Sequence, residues 1–216
     1  MKKKICYLLV LILLFSLAAC SQAGGTSITE PTGSPETTAP ATAPSEAPTE
    51  ATTQPAAQGE TLIVYFSWSS SGNTEKMANV IKERTGGDIL EIEPAVAYPT
   101  DYSECGDVAK VERDENARPE IANLPDSLDE YDTIFIGYPI WWHTAPMIIG
   151  TFLESYDLSG KEVYPFSQSA SMDTEQFANA MDFVRTSATN ATIHDGLFVS
   201  ASDTDGILAY LTENGF

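Results

Sequence analysis

The chain has 216 residues, 43% of them hydrophobic, and a formal net charge of −20. That balance excludes a nucleic-acid partner, because little basic surface is left to neutralise a phosphate backbone. It favours solubility and encounters with basic surfaces.

The first segment departs from the rest. Lys2, Lys3 and Lys4 lead into an apolar run, Ile5 to Ala18, and then Leu17-Ala18-Ala19-Cys20. The run falls short of the roughly 20 residues that span a bilayer and suits a secretory signal. Its ending resembles a bacterial lipoprotein signal. The resemblance implies removal of residues 1–19, lipidation of Cys20, and anchoring at the extracytoplasmic face of the cell membrane. Of three cysteines, Cys6 leaves with the signal and Cys20 carries lipid. Cys105 remains alone, so no disulfide framework is expected. Glu104 and Asp107 beside it are expected to raise its pKa and keep it non-catalytic. Residues 20–59 are rich in Thr, Pro, Ala, Ser and Glu, with Ile28 the one large apolar residue. Such a stretch cannot bury enough surface to offset its ordering entropy and reads as a disordered tether.

A folded domain is expected over 60–216. Strands are predicted at Thr61–Ser67, Asp88–Glu93, Tyr131–Gly137, Glu162–Phe166 and Ile193–Ser200 from their apolar runs. Helices are predicted at Asn73–Arg84, near Tyr102–Asn116 within a long polar excursion (94–125), and at Ala145–Tyr156, Thr174–Ser187 and Thr204–Thr212. Strands joined by helical crossovers imply an α/β fold with an open parallel sheet, covered on both faces, whose ligands bind beyond the strand C-terminal ends. His194 falls at the opposite end and receives no role.

Three loops meet at the ligand edge. Ser67-Trp68-Ser69-Ser70-Ser71-Gly72-Asn73-Thr74 places hydroxyls and a glycine before a helix N-terminus, an arrangement that holds a phosphate with neutral dipoles. It lacks the Gly-Lys-Ser/Thr of a triphosphate loop and the Gly-x-Gly-x-x-Gly of a dinucleotide fold. Pro139-Ile140-Trp141-Trp142-His143 brings two indoles to the end of a buried strand, where flat side chains suit a flat ligand. One phosphate plus one flat ring points to flavin mononucleotide (FMN). His143 stands equally as a donor to the ring or as a solvated loop residue. No nucleophile–base pair or metal-ligand cluster argues for hydrolysis.

These motifs together resemble the flavodoxin-like family: Tyr65-Phe66-Ser67 with Ser71-Gly72-Asn73-Thr74, then Gly137-Tyr138-Pro139-Ile140-Trp141-Trp142, then Phe152-Leu153-Glu154, Leu158-Ser159-Gly160-Lys161 and Pro165-Phe166. The branch with a Trp-Trp flavin loop is the most similar, and Arg118-Pro119 fits it. The resemblance implies a three-layer sandwich with five parallel strands in the order 2-1-3-4-5, non-covalent FMN and electron transfer. It makes Ser67, Ser69, Ser71, Gly72, Asn73 and Thr74 phosphate donors. Pro139, Ile140, Trp141 and Trp142 become a wall of the ring pocket, and Ser167, Gln168 and Ser169 partners of the ring's pyrimidine edge. The first loop is longer than in relatives, and the third reads Ser-Gln-Ser-Ala-Ser where relatives carry glycines. The expected function is a membrane-anchored FMN electron carrier serving a redox partner protein or a quinone-like acceptor. The alternatives are an FMN-dependent NAD(P)H:quinone-type reductase and a cofactor-free binding module of the same shape.

Overall fold

A computed structural model describes residues 60–216; the signal, Cys20 and the tether lie outside the described residues. The strands are β1 (Glu60–Tyr65), β2 (Asp88–Glu91), β3 (Tyr131–Pro139), β4 (Glu162–Gln168), β5 (Thr192–Ile193) and β6 (Leu197–Phe198). The helices are α1 (Asn73–Thr85), α2 (Tyr102–Asp114), α3 (Met147–Glu154), α4 (Thr174–Ser187) and α5 (Thr204–Glu213). All strand pairs are parallel, in the order 2-1-3-4-5, with β6 also on β4. This is the expected fold.

Side-chain alternation builds the three layers. Leu62, Val64, Ile134 and Ile136 pack on one face with Ile148, Phe152 and Val184 from α3 and α4. Ile63, Phe135 and Phe166 pack on the other with Met77 and Ile81 of α1 and Ile207 and Leu211 of α5. Central strands buried on both faces read as continuous apolar runs for that reason. Gly137 is required where β3 meets β4: a Cβ there would lie 2.2 Å from the Phe166 ring.

The predicted fifth strand, Ile193–Ser200, is broken in the middle, and the cause lies on its neighbour. His194 N donates to Val163 O (2.9 Å), so Val163 and, two residues on, Pro165 present their backbones to this strand. Pro165 has no N–H to give. The register also slips, from Val163↔Ile193 to Phe166↔Leu197, leaving one extra residue in the fifth strand. β5 and β6 are the two halves of a bulged edge strand.

The excursion between β2 and β3 is tied down at both ends. Pro94 bridges Ile121 in antiparallel fashion, and Asn123 bonds Glu93 N (2.9 Å) and Glu91 O (2.7 Å), covering the open edge of the sheet. Asp101 caps α2 through Ser103 N and Glu104 N. Arg118 forms a two-pronged pair with Glu154 of α3 (2.7 and 2.6 Å). α2 therefore sits over the C-terminal edge of the sheet, beside the first and second loops. No helix among the described residues is long and apolar enough to cross a membrane.

Candidate flavin site at the C-terminal edge of the sheet

β1 releases the chain after Phe66, whose N–H still bonds Gly137 O (2.9 Å). The following loop closes by Gly72 N to Ser69 O (2.9 Å), and Gly72 turns left-handed (φ 57°) to start α1. That conformation is cheap only without a Cβ. The first helical bond is Lys76 N to Gly72 O, and α1 has no side-chain cap. The N–H groups of Asn73, Thr74 and Glu75 consequently have no acceptor among the described residues. A small cavity opens at this point, lined by Ser67, Ser69, Ser71, Asn73, Thr74, Pro139 and Gln168. Thr74 is 2% exposed, and its hydroxyl bonds nothing among the described residues. An unpartnered hydroxyl on the cradle wall beside orphan helix N–H groups fits an oxyanion. Ser69 and Ser71 are partly engaged with each other, their hydroxyls 2.8 Å apart.

The second loop is a tight hairpin. Trp141 and Thr144 exchange both backbone hydrogen bonds (2.9 and 3.0 Å), and the two residues between them, Trp142 and His143, stand at φ 46° and 67°. Two positive φ values match a type I′ turn, usually filled by Asn-Gly; a Trp-His pair there is strained. The tryptophans point different ways. Trp141 packs edge-on into Phe66 (5.4 Å), Trp68 (6.1 Å) and Tyr98 (5.1 Å). Trp142, 41% exposed, lies toward α2: its indole N–H donates to Gly106 O (2.6 Å), and Arg113 donates to its carbonyl (3.2 Å) with its guanidinium 5.4 Å from the ring centre.

Against this hairpin lies a cavity of about 610 Å³. Ile140, Trp141, Trp142 and His143 line one side, Ser169 to Ser171 and Gln176 another, and Tyr102 to Ala109 of α2 the outside. Trp68 and Trp141 also line the phosphate cradle, so the two spaces adjoin. Cofactor cavities typically span about 300–1,000 Å³. His143 is exposed at the hairpin tip and borders the cavity.

Most of the expected site residues gather here, with one correction. Ser167 is fully buried within β4, its hydroxyl donates to Tyr138 O (2.6 Å), and it lines neither space. The apolar strand runs further than expected, to Gln168, and carries Ser167 into the core. Gln168 borders the cradle and Ser169 the larger cavity. The Cys105 thiol is raised in the expected direction but by other causes: burial, then Glu112, push it up to about 11, rather than Glu104 and Asp107. The expected helix near Tyr102–Asn116 and Trp68 of the first loop both border the cavity, a part that the sequence does not assign them. Trp68 is anchored by Pro99 O (2.9 Å), and the spacing of Tyr102, Cys105, Gly106 and Ala109 along one helical face was the available signal. His194 sits at the far end of the sheet, against Glu162 and stacked on Tyr164.

Solved structures share this architecture. A candidate flavoprotein from Bacteroides uniformis is 34% identical (TM-score 0.64), covering 72% of this chain and 99% of its own. One from Bacteroides eggerthii is 31% identical (TM-score 0.64), covering 72% and 98%. A flavoprotein from Lactobacillus acidophilus, solved in complex with FMN, is 27% identical (TM-score 0.58), covering 68% and 97%. No curated protein matches. The flavodoxin family model matches residues 60–214, essentially the whole described domain. The chain belongs to the flavodoxin family.

Proposed function

We propose that the domain binds FMN and passes electrons through it, and that lipidated Cys20 and the 21–59 tether hold it outside the cytoplasm at the cell membrane. One observation carries the cofactor reading: a phosphate-sized cradle with orphan donors adjoins an aromatic-walled cavity, and Trp68 and Trp141 border both. The L. acidophilus relative's complex with FMN supports it. Asn73 and Thr74, with the first turn of α1, hold the phosphate; Ser67 and Gln168 close the cradle. Trp141 and Trp142 wall the ring, and Ser169 and Gln176 offer polar atoms to its edge. The cofactor supplies reversible electron storage; the chain orients it and excludes water.

Titrating the full chain with FMN, followed by flavin fluorescence, tests this. Stoichiometric quenching is expected. A chain that purifies colourless and takes up no FMN at micromolar concentration would leave only the cofactor-free binding module. A second reading, an NAD(P)H:quinone-type reductase, is favoured by α2, which walls the cavity beyond the hairpin and makes a compartment for a small acceptor beside the ring. Oxidation of NAD(P)H coupled to a quinone by the FMN-loaded chain separates it from a carrier, which needs a protein donor. Release of the protein from membranes by Cys20→Ala tests the anchor.

A further inference from the structure

On the other side of the phosphate cradle lies a third space, about 330 Å³ in volume. Its walls are Asn73 and Lys76 of α1, Gln168, Ser169, Ala170 and Met172 after β4, and Ser200 to Ser202 after β6. It shares Asn73 and Gln168 with the cradle, so the two are neighbours across a single side-chain layer. Asn73 and Lys76, at i and i+3, present to the same face of α1.

Like the cradle, these walls carry no carboxylate, and unlike it they carry a lysine. The chain carries 31 acidic residues, and Asp107 borders the large aromatic cavity while Glu112 and Glu120 border another. No carboxylate lines this space. Glu75, between Asn73 and Lys76, does not line it and holds its carboxylate back over Gly72, while Asp203 Oδ1 accepts from Gly206 N (3.0 Å), and Asp173 Oδ1 accepts from Glu175 N and Gln176 N (2.9 and 3.2 Å). Lys110, Arg113, Arg118 and Arg185 are in ion pairs, whereas the Lys76 ammonium has no partner among the described residues. The hydroxyls of Ser200 and Ser202 lie 3.0 Å apart, leaving one proton of the pair to donate outward. A lysine, two amides and three serines with no opposing carboxylate make a site for an oxyanion.

We propose that this space is a second oxyanion subsite, one turn along α1 from the cradle, in which Lys76 holds a phosphate group. The proposal deepens the FMN reading and rests on it for the occupant of the cradle. The phosphate has two possible sources: the second phosphate of a dinucleotide flavin whose first occupies the cradle, or a separate phosphorylated molecule.

The test uses the full chain saturated with FMN and titrated calorimetrically with inorganic pyrophosphate. One saturable site is expected, weakened about tenfold or more by Lys76→Gln, a loss of about 1.4 kcal/mol per tenfold. Lys82→Gln, on the same helix but outside the space, is expected to leave it within about twofold. No saturable binding, or equal losses in the two variants, would overturn the subsite, the latter marking general electrostatics. Loading with flavin adenine dinucleotide sorts the source. If its second phosphate fills the subsite, the loaded chain no longer binds pyrophosphate, and Lys76→Gln weakens the dinucleotide flavin while sparing FMN. If the source is a separate molecule, the loaded chain still binds pyrophosphate and still depends on Lys76. Failure of the wild-type chain to take up FMN would instead overturn the cofactor reading, and the contrast between the Lys76 and Lys82 variants remains measurable on the unloaded chain.

Discussion

A hydroxyl on the wall of an anion cradle, with no protein partner of its own, is free to donate when the anion arrives. Thr74 is in that position. Thr74→Val keeps the shape and removes the donor; with hydrogen bonds to charged groups worth about 1.5–3 kcal/mol, FMN affinity is expected to fall about tenfold or more in a fluorescence titration. The melting temperature of the unloaded chain is expected to change little, and a variant that binds FMN normally would remove Thr74 from the cradle. At Glu112 burial itself sets the chemistry. Burial raises its carboxyl above the ordinary range, and the hydrogen bond from Tyr98 (2.9 Å) opposes this only in part. The folded state thus holds that proton more tightly than the unfolded chain. Its contribution to stability is complete below the unfolded value, about 4.3, and is lost as pH rises through the folded value. Glu112→Gln is therefore expected to gain on the wild type in urea melts as pH goes from 4 toward neutrality. A gap that narrows over that range would show the carboxylate to be stabilising.

At the scale of elements, the strained hairpin 141–144 is held in place from α2. Arg113 supplies a hydrogen bond to the Trp142 carbonyl and a cation over its ring, contacts worth together about 1–2 kcal/mol at a half-exposed site. Arg113→Ala is expected to free the tip, seen as faster hydrogen exchange at Trp142 to Thr144 with little change in β3. Unchanged exchange would mean that the indole bond to Gly106 suffices. The strands and the three loops were legible in one dimension because apolar runs and a Ser-rich turn are local signals. α2's place in the site was not: its sequence is polar, and contacts distant in the chain bring it there, from Gly106 and Arg113 to the hairpin and from Tyr102 to Trp68. Ser167 misled for a similar reason. A hydroxyl at a strand end looks like a loop donor until its partner, the Tyr138 carbonyl on the adjacent strand, is known. The break in the fifth strand depends on Pro165 in the strand beside it, a coupling that no pattern within residues 193–200 records.

The whole molecule adds a field. With 31 acidic residues against 11 basic ones, an electron added at the sheet edge enters a negative potential. Each unit charge about 15 Å away contributes about 0.3 kcal/mol in water, and about 15 Å is also the radius of gyration expected for a domain of this size. The field therefore opposes reduction and lowers the flavin's midpoint potential. Salt acts on this directly, because the Debye length falls from about 30 Å at 0.01 M to about 8 Å at 0.15 M. At the lower ionic strength most of the domain's carboxylates act on the ring; at the higher one only those of the surrounding loops do. The midpoint potential of the FMN-loaded chain, measured by spectroelectrochemistry, is expected to rise between these two conditions. A flat response would mean that a proton accompanies the electron and cancels the added charge. Repeating the measurement across pH separates the cases: with proton uptake the potential falls steadily as pH rises and ignores salt, whereas without it the potential follows salt and is level in pH.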